Sequence, residues 1–245
     1  MSATPNMEEI DPNPADDPIE VLKGHVAAMS ELAVGMVADG TRALLTNDAA
    51  LAKSVTDRDA PLDRFDIAIE TESMRLIATM QPEAGDLRTI GAVLKIANCV
   101  DRVGRLGFDL AKNLTAAPEP SDPAPAELLR KMDAQTRRMV QASIAAFMKG
   151  DADEEKGIFA LDDDVDDLYD QLQDRVFQLL QKGGAASERL ARYLIAGRHL
   201  ERVGDNACKI AEKAIYAITG ERRPEYFPAL AHRVTSGVRP PGHVH

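Results

Sequence analysis

The sequence predicts an all-α protein built as two tandem three-helix bundles related by an internal repeat, and three observations predict it. Ala, Leu, Asp and Arg dominate, aromatic residues make up 4% and Trp is absent, so residues that favour strands are sparse. From Tyr193 to Tyr216, apolar or small residues recur at Tyr193, Ala196, Leu200, Val203, Ala207, Ile210 and Ala214. That 3-4-3-4 spacing is the seam of a helix packed against other helices. The same seam occurs earlier at Val93, Ile96, Val100, Val103, Gly107, Leu110 and Leu114. Asp101-Arg102-Val103-Gly104 there stands in the phase of Glu201-Arg202-Val203-Gly204, which marks a duplication.

The totals narrow the class further. With 245 residues the chain can bury a sizeable core. A net charge of −11 disfavours nucleic acid, whose phosphates it would repel, and favours cations or basic protein surfaces. Cys99 and Cys208 lie inside predicted helices without a CxxC spacing and read as reduced, partly buried thiols. No apolar run reaches the ~18 residues of a membrane span. The start of the chain has neither the basic nor the apolar region of a signal peptide. The expectation is a cytoplasmic protein with no direct membrane insertion.

Taken in order, residues 1–18 form an acidic, Pro-broken tail expected to be disordered. The first bundle is expected over 19–115. Its first helix carries Leu22, Val26, Met29, Ala33 and Met36 on its seam and ends near Thr46. Asn47 or Asp48 can cap the second helix, predicted from Asp48 to Met80 with a kink at Asp59-Ala60-Pro61, because proline lacks an N–H and collides with the preceding turn. Gln81 to Asp86 turns the chain, with Asp86 a plausible cap, and the third helix runs to about Thr115. Residues 116–125 are a Pro-rich, solvent-exposed linker. The plan then repeats over 126–224, with helices at 126–149, about 152–182, and the seam that ends near Thr219-Gly220. Residues 225–245 are expected to be a loose tail.

Candidate chemistry lies in paired carboxylates. Glu201 and Asp205 stand one turn apart, off the seam, and Asp162 and Asp166 form a similar pair on the preceding helix. Four oxygen donors without nearby thiolates suit a hard or borderline cation, Mg²⁺, Mn²⁺, iron or Zn²⁺. The competing reading is a solvated acidic face, since Asp162 to Asp167 is simply charge-rich. In the first repeat Asp59, Asp63 and Asp101 are the counterparts, but Arg105 occupies the place of Asp205. A guanidinium there cannot ligate, and can neutralise Asp101. Asp109, one turn on, compensates poorly. The histidines show no ligand spacing, and no nucleophile has a candidate base.

Met80-Gln81-Pro82, Asp86-Leu87-Arg88, Leu94-Lys95-Ile96 and Val100 to Gly104 resemble the first half of the PhoU family. Asp163 to Tyr169, His199 to Ala207, Ile215-Tyr216 and Thr219-Gly220-Glu221 resemble its second half. The resemblance implies a non-enzymatic, cytoplasmic regulatory adaptor of high-affinity phosphate uptake, folded as tandem three-helix bundles and commonly a homodimer. It implies negative regulation of phosphate-starvation signalling through a phosphate-sensing histidine kinase and the transporter's ATPase subunit. It also implies a multinuclear iron or zinc cluster held by E/D-x-x-x-D pairs. Glu201/Asp205, Asp162/Asp166 and Asp59/Asp63 match that motif, whereas Asp101/Arg105 departs from it. Two alternatives stand beside the adaptor: a metal-dependent hydrolase using carboxylate-bridged metals, and a metal-free helical scaffold.

Overall fold

The computed structural model describes residues 17–221, apart from the side chains of 154–156, and its elements are all helical. The expectations for 1–16 and 222–245 lie outside the described residues.

Helix α1 (Pro18–Thr46) starts one residue before the expected boundary. Asp17 caps it by accepting a hydrogen bond from the Ile19 N–H at 2.9 Å, and Pro18 occupies the first turn, where no N–H is needed. Asn47, at φ 52°, ends it in the left-handed conformation. The expected second helix is two helices. Helix α2 (Ala49–Thr56) is capped by Asp48, and α3 (Asp59–Met80) begins after a break at Asp57-Arg58. Pro61 is therefore the third residue of α3 and causes no internal kink, because first-turn N–H groups have no intrahelical acceptor to lose. Asp59 is helical and does not act as a cap.

Helix α4 (Ala84–Ala111) stops short of Thr115, and Asp86 sits inside its first turn, favourably placed against the helix dipole but not as the cap. Helices α5 (Ala124–Lys149), α6 (Ala152–Gln181) and α7 (Ser187–Thr219) follow, with Gly150 and Gly220 at positive φ closing α5 and α7.

The two repeats share one continuous hydrophobic core that runs from Ile19 to Ala217. Helices α4 and α7 pack against each other along their length, and α1 packs on α5, so the bundles are fused side by side. The α1–α4 crossing is close and parallel. A Cβ on Gly107 would stand 2.6 Å from the Met36 and Val37 backbone, and one on Gly40 would strike the Gly107 carbonyl. In the second repeat the equivalent crossing is made by Ser143 and Ala207, with the single Ser143 hydroxyl proton shared between the Met139 carbonyl (3.0 Å) and the Ala207 carbonyl (3.1 Å). The duplication seen in the seams thus extends to the helix crossings.

The Pro-rich segment between the repeats is largely exposed, as expected, yet it is also tied down. The buried Arg189 donates to the carbonyls of Ala117 (2.6 Å) and Thr115 (3.4 Å) and pairs with Glu119 (2.7 Å). In α1, against the expectation that no apolar run is long enough, an 18-residue window reaches a mean hydropathy of 1.3, long and apolar enough to cross a membrane by length and composition. The fold buries 56% of that window, as suits the central helix of a core.

Candidate carboxylate sites

In the first repeat, α3 and α4 bring Asp59, Asp63 and Asp101 together, and Arg105 sits among them. Its guanidinium hydrogen-bonds Asp59 Oδ1 and Asp63 Oδ1, while its Nε lies 3.4 Å from Asp101 Oδ1. The Asp101 oxygen is buried and close enough for ion pairing but lacks hydrogen-bond geometry. Asp66 completes the group. Burial, with Glu70 and Asp63 nearby, raises its pKa. Asp101 is raised as well, chiefly by burial, against the opposing pull of Arg105. One cation faces four acids, so the cluster stays net negative even with Arg105 in place.

This arrangement fits a guanidinium and not a metal. Asp59 Oδ1 and Asp63 Oδ1 already accept hydrogen bonds from Arg105, and its permanent positive charge lies beside Asp101 as well, at the position an ion would take. Asp109, exposed at the next turn, takes no part.

The second repeat is built differently. Helices α6 and α7 are neighbours, and Asp162 lies against Gly204, where an added Cβ would stand 3.2 Å from Asp162 Oδ1. Asp162 is thus level with the turn of α7 that carries Glu201 and Asp205. Asp166 is half-buried one turn further along α6. Glu201 departs from expectation: its side chain is 4% exposed, and Arg198, one turn earlier, pairs with it at 2.5 Å. The expected exposed pair is one buried and one half-buried carboxylate. Among the described residues, no three His, Cys, Asp or Glu stand close enough to hold one metal ion. A metal here would require the α6 and α7 carboxylates to draw together.

Sequence reasoning missed Arg198 as the partner of Glu201. It also missed Asp66. The spacing Asp59, Asp63, Asp66 is itself a helix-face signal that could have revealed it.

Fold and site together define a class: a duplicated helical-bundle protein whose equivalent helix faces each gather carboxylates, closed by an arginine in one repeat. The chain belongs to the PhoU family, whose domain model matches residues 26–114 and 129–214. A Thermotoga maritima "phosphate-specific transport system accessory protein PhoU homolog 1" is 29% identical over 210 residues, 85% of this chain and 90% of that protein. An Aquifex aeolicus PhoU homologue is 31% identical over 203 residues, 83% of this chain and 92% of its own length. The crystal structure of PhoU from Pseudomonas aeruginosa aligns with a TM-score of 0.76 at 28% identity, covering 83% of this chain and 98% of that one.

Proposed function

We propose that this chain is a cytoplasmic, non-enzymatic adaptor of a high-affinity phosphate transporter that restrains phosphate-starvation signalling when phosphate is plentiful. The observation that carries the reading is the family match over both repeats, in order, with nearly the whole described chain covered. The partners proposed are the transporter's ATPase subunit and a phosphate-sensing histidine kinase, met by the chain as a homodimer. The site chemistry supports an adaptor over a hydrolase. In the first repeat the clustered acids are held by Arg105, which leaves them poorly placed to bridge catalytic metals. Any iron or zinc is proposed for the second repeat alone, on Asp162, Asp166, Glu201 and Asp205.

Deletion of the gene, read with a phosphate-responsive reporter, tests the reading. Reporter expression should rise in phosphate-rich medium and fall again when the gene is restored. A reporter that stays repressed in the deletion strain would overturn the regulatory role.

A further inference from the structure

A groove of about 450 Å³ lies between the start of α4 and the end of α7. Its floor is apolar: Leu87, 47% exposed, the Tyr216 ring, and Gly91, where an added Cβ would meet only open space. Its charged lining residues are Arg88, Lys95 and Lys213, all cationic. Lys213 pairs with Glu212 at 2.8 Å, whereas Arg88 Nε is buried with no hydrogen-bond partner. In a chain of net charge −11 this is a local reversal of sign. Cations around an apolar floor recognise an acidic segment that carries an apolar side chain.

Such a segment enters at the same end of the molecule. Helices α1 and α4 run parallel, with Met36 against Gly107 and Gly40 against Ala111. The parallel packing puts the start of α1, at Asp17, at the same end of the bundle as Arg88 near the start of α4. Ending six positions upstream of Asp17 is Glu8-Glu9-Ile10-Asp11, three acids around one isoleucine. The six residues from Asp11 to Asp17 span up to ~20 Å when extended, about twice a helix diameter. The other end of the described chain also reaches this groove, with Gly220 beside Arg88, but it continues as Arg222-Arg223, of the wrong sign.

We propose that Glu8–Asp11 docks in cis in the α4/α7 groove, Ile10 on the apolar floor and the carboxylates on Arg88, Lys95 and Lys213. The N-terminal segment then masks the basic face from acidic partners. The inference stands whether or not the regulatory reading above holds.

The test uses full-length protein and a fluorescent synthetic peptide of residues 1–17, followed by anisotropy. The E8Q/E9Q/D11Q protein, its groove vacated, should bind the peptide at least tenfold more tightly than wild type, and more weakly as salt rises. In that background Gly91→Leu fills the floor while leaving every charge in place and should abolish binding, whereas Gly91→Ala should preserve it. Arg88→Glu, a second variant that leaves the floor intact, should also lose at least tenfold. Four results would overturn the proposal: no binding to the E8Q/E9Q/D11Q protein, equal binding to wild type, equal binding to the Gly91→Leu and Gly91→Ala variants, or equal binding of an unrelated acidic peptide. The last would make the groove a site for partners instead.

Discussion

Arg105 holds a cluster that would otherwise repel itself. Its partners are partly exposed, with side chains of Asp59, Asp63 and Asp101 at 30%, 50% and 23%, so each pair is individually weak. Acting together on four acids, loss of the guanidinium should cost roughly 1–2 kcal/mol at low ionic strength and less in high salt. Urea unfolding of Arg105→Ala at two salt concentrations checks this; a salt-independent loss would mean that Arg105 acts through packing. The same residue governs metal. Arg105→Asp should raise the bound divalent metal counted by elemental analysis, and Asp205→Ala should lower it relative to wild type. Equal metal in wild type and Asp205→Ala would remove the second-repeat site. Glu201→Ala is not the mild change its helical phase implies, because truncation opens space at a buried, ion-paired position.

At the scale of elements, the α1–α4 crossing should be far less tolerant than its counterpart in the second repeat. Gly107→Ala gains up to about 1 kcal/mol of helix propensity. It meets backbone at 2.6 Å, however, and backbone cannot rotate aside, so the net effect should be a loss of about 1–3 kcal/mol. Ser143→Ala deletes a hydrogen bond where room already exists and should cost about 1 kcal/mol. Equal midpoints for the two variants in thermal unfolding would contradict the packing argument. Helix surroundings also set a pH response. Burial lowers the pKa of His25, against the raising effect of Glu72, and that of His199, against Asp109. Nδ1 of each is buried without a hydrogen-bond partner. The unfolded chain therefore binds more protons below about pH 6.5, and stability should fall as pH drops from 7 toward 5. Asp66 and Asp101, with raised pKa, oppose this at lower pH, where their protonation favours the folded state. The double variant His25→Gln/His199→Gln should flatten the pH 5–7 slope of the melting temperature; an unchanged slope would assign it to other groups.

Across the whole molecule, the shared core predicts one unfolding event. Helices α4 and α7 belong to different repeats yet bury each other, so neither bundle keeps its core if the other opens. Calorimetry should show a single transition whose van't Hoff and calorimetric enthalpies agree. Two resolved transitions would mean that the repeats are separable. Arg189 ties the connecting segment into this unit, and Arg189→Ala should cost roughly 1–3 kcal/mol by leaving the Thr115 and Ala117 carbonyls without their donor.

The sequence by itself determined the helices, their seams, the duplication and the arginine exception, because each is written in local spacing or in residue type at matched positions. Even Pro61 was legible as a boundary marker, although its place in the first turn of α3 moved the break to Asp57-Arg58. What the tertiary structure decided is which faces are outer faces. Glu201 lies off the α7 seam, yet α7 is wrapped by α4, α5 and α6 and has little outer face to offer, so the residue is buried. The groove depends on the same packing: Arg88 and Tyr216 are distant in sequence, and the antiparallel α4–α7 register makes them neighbours. Periodicity reports one seam per helix; a helix that serves two bundles at once has more than one, and the number of its neighbours is set only when the chain has folded.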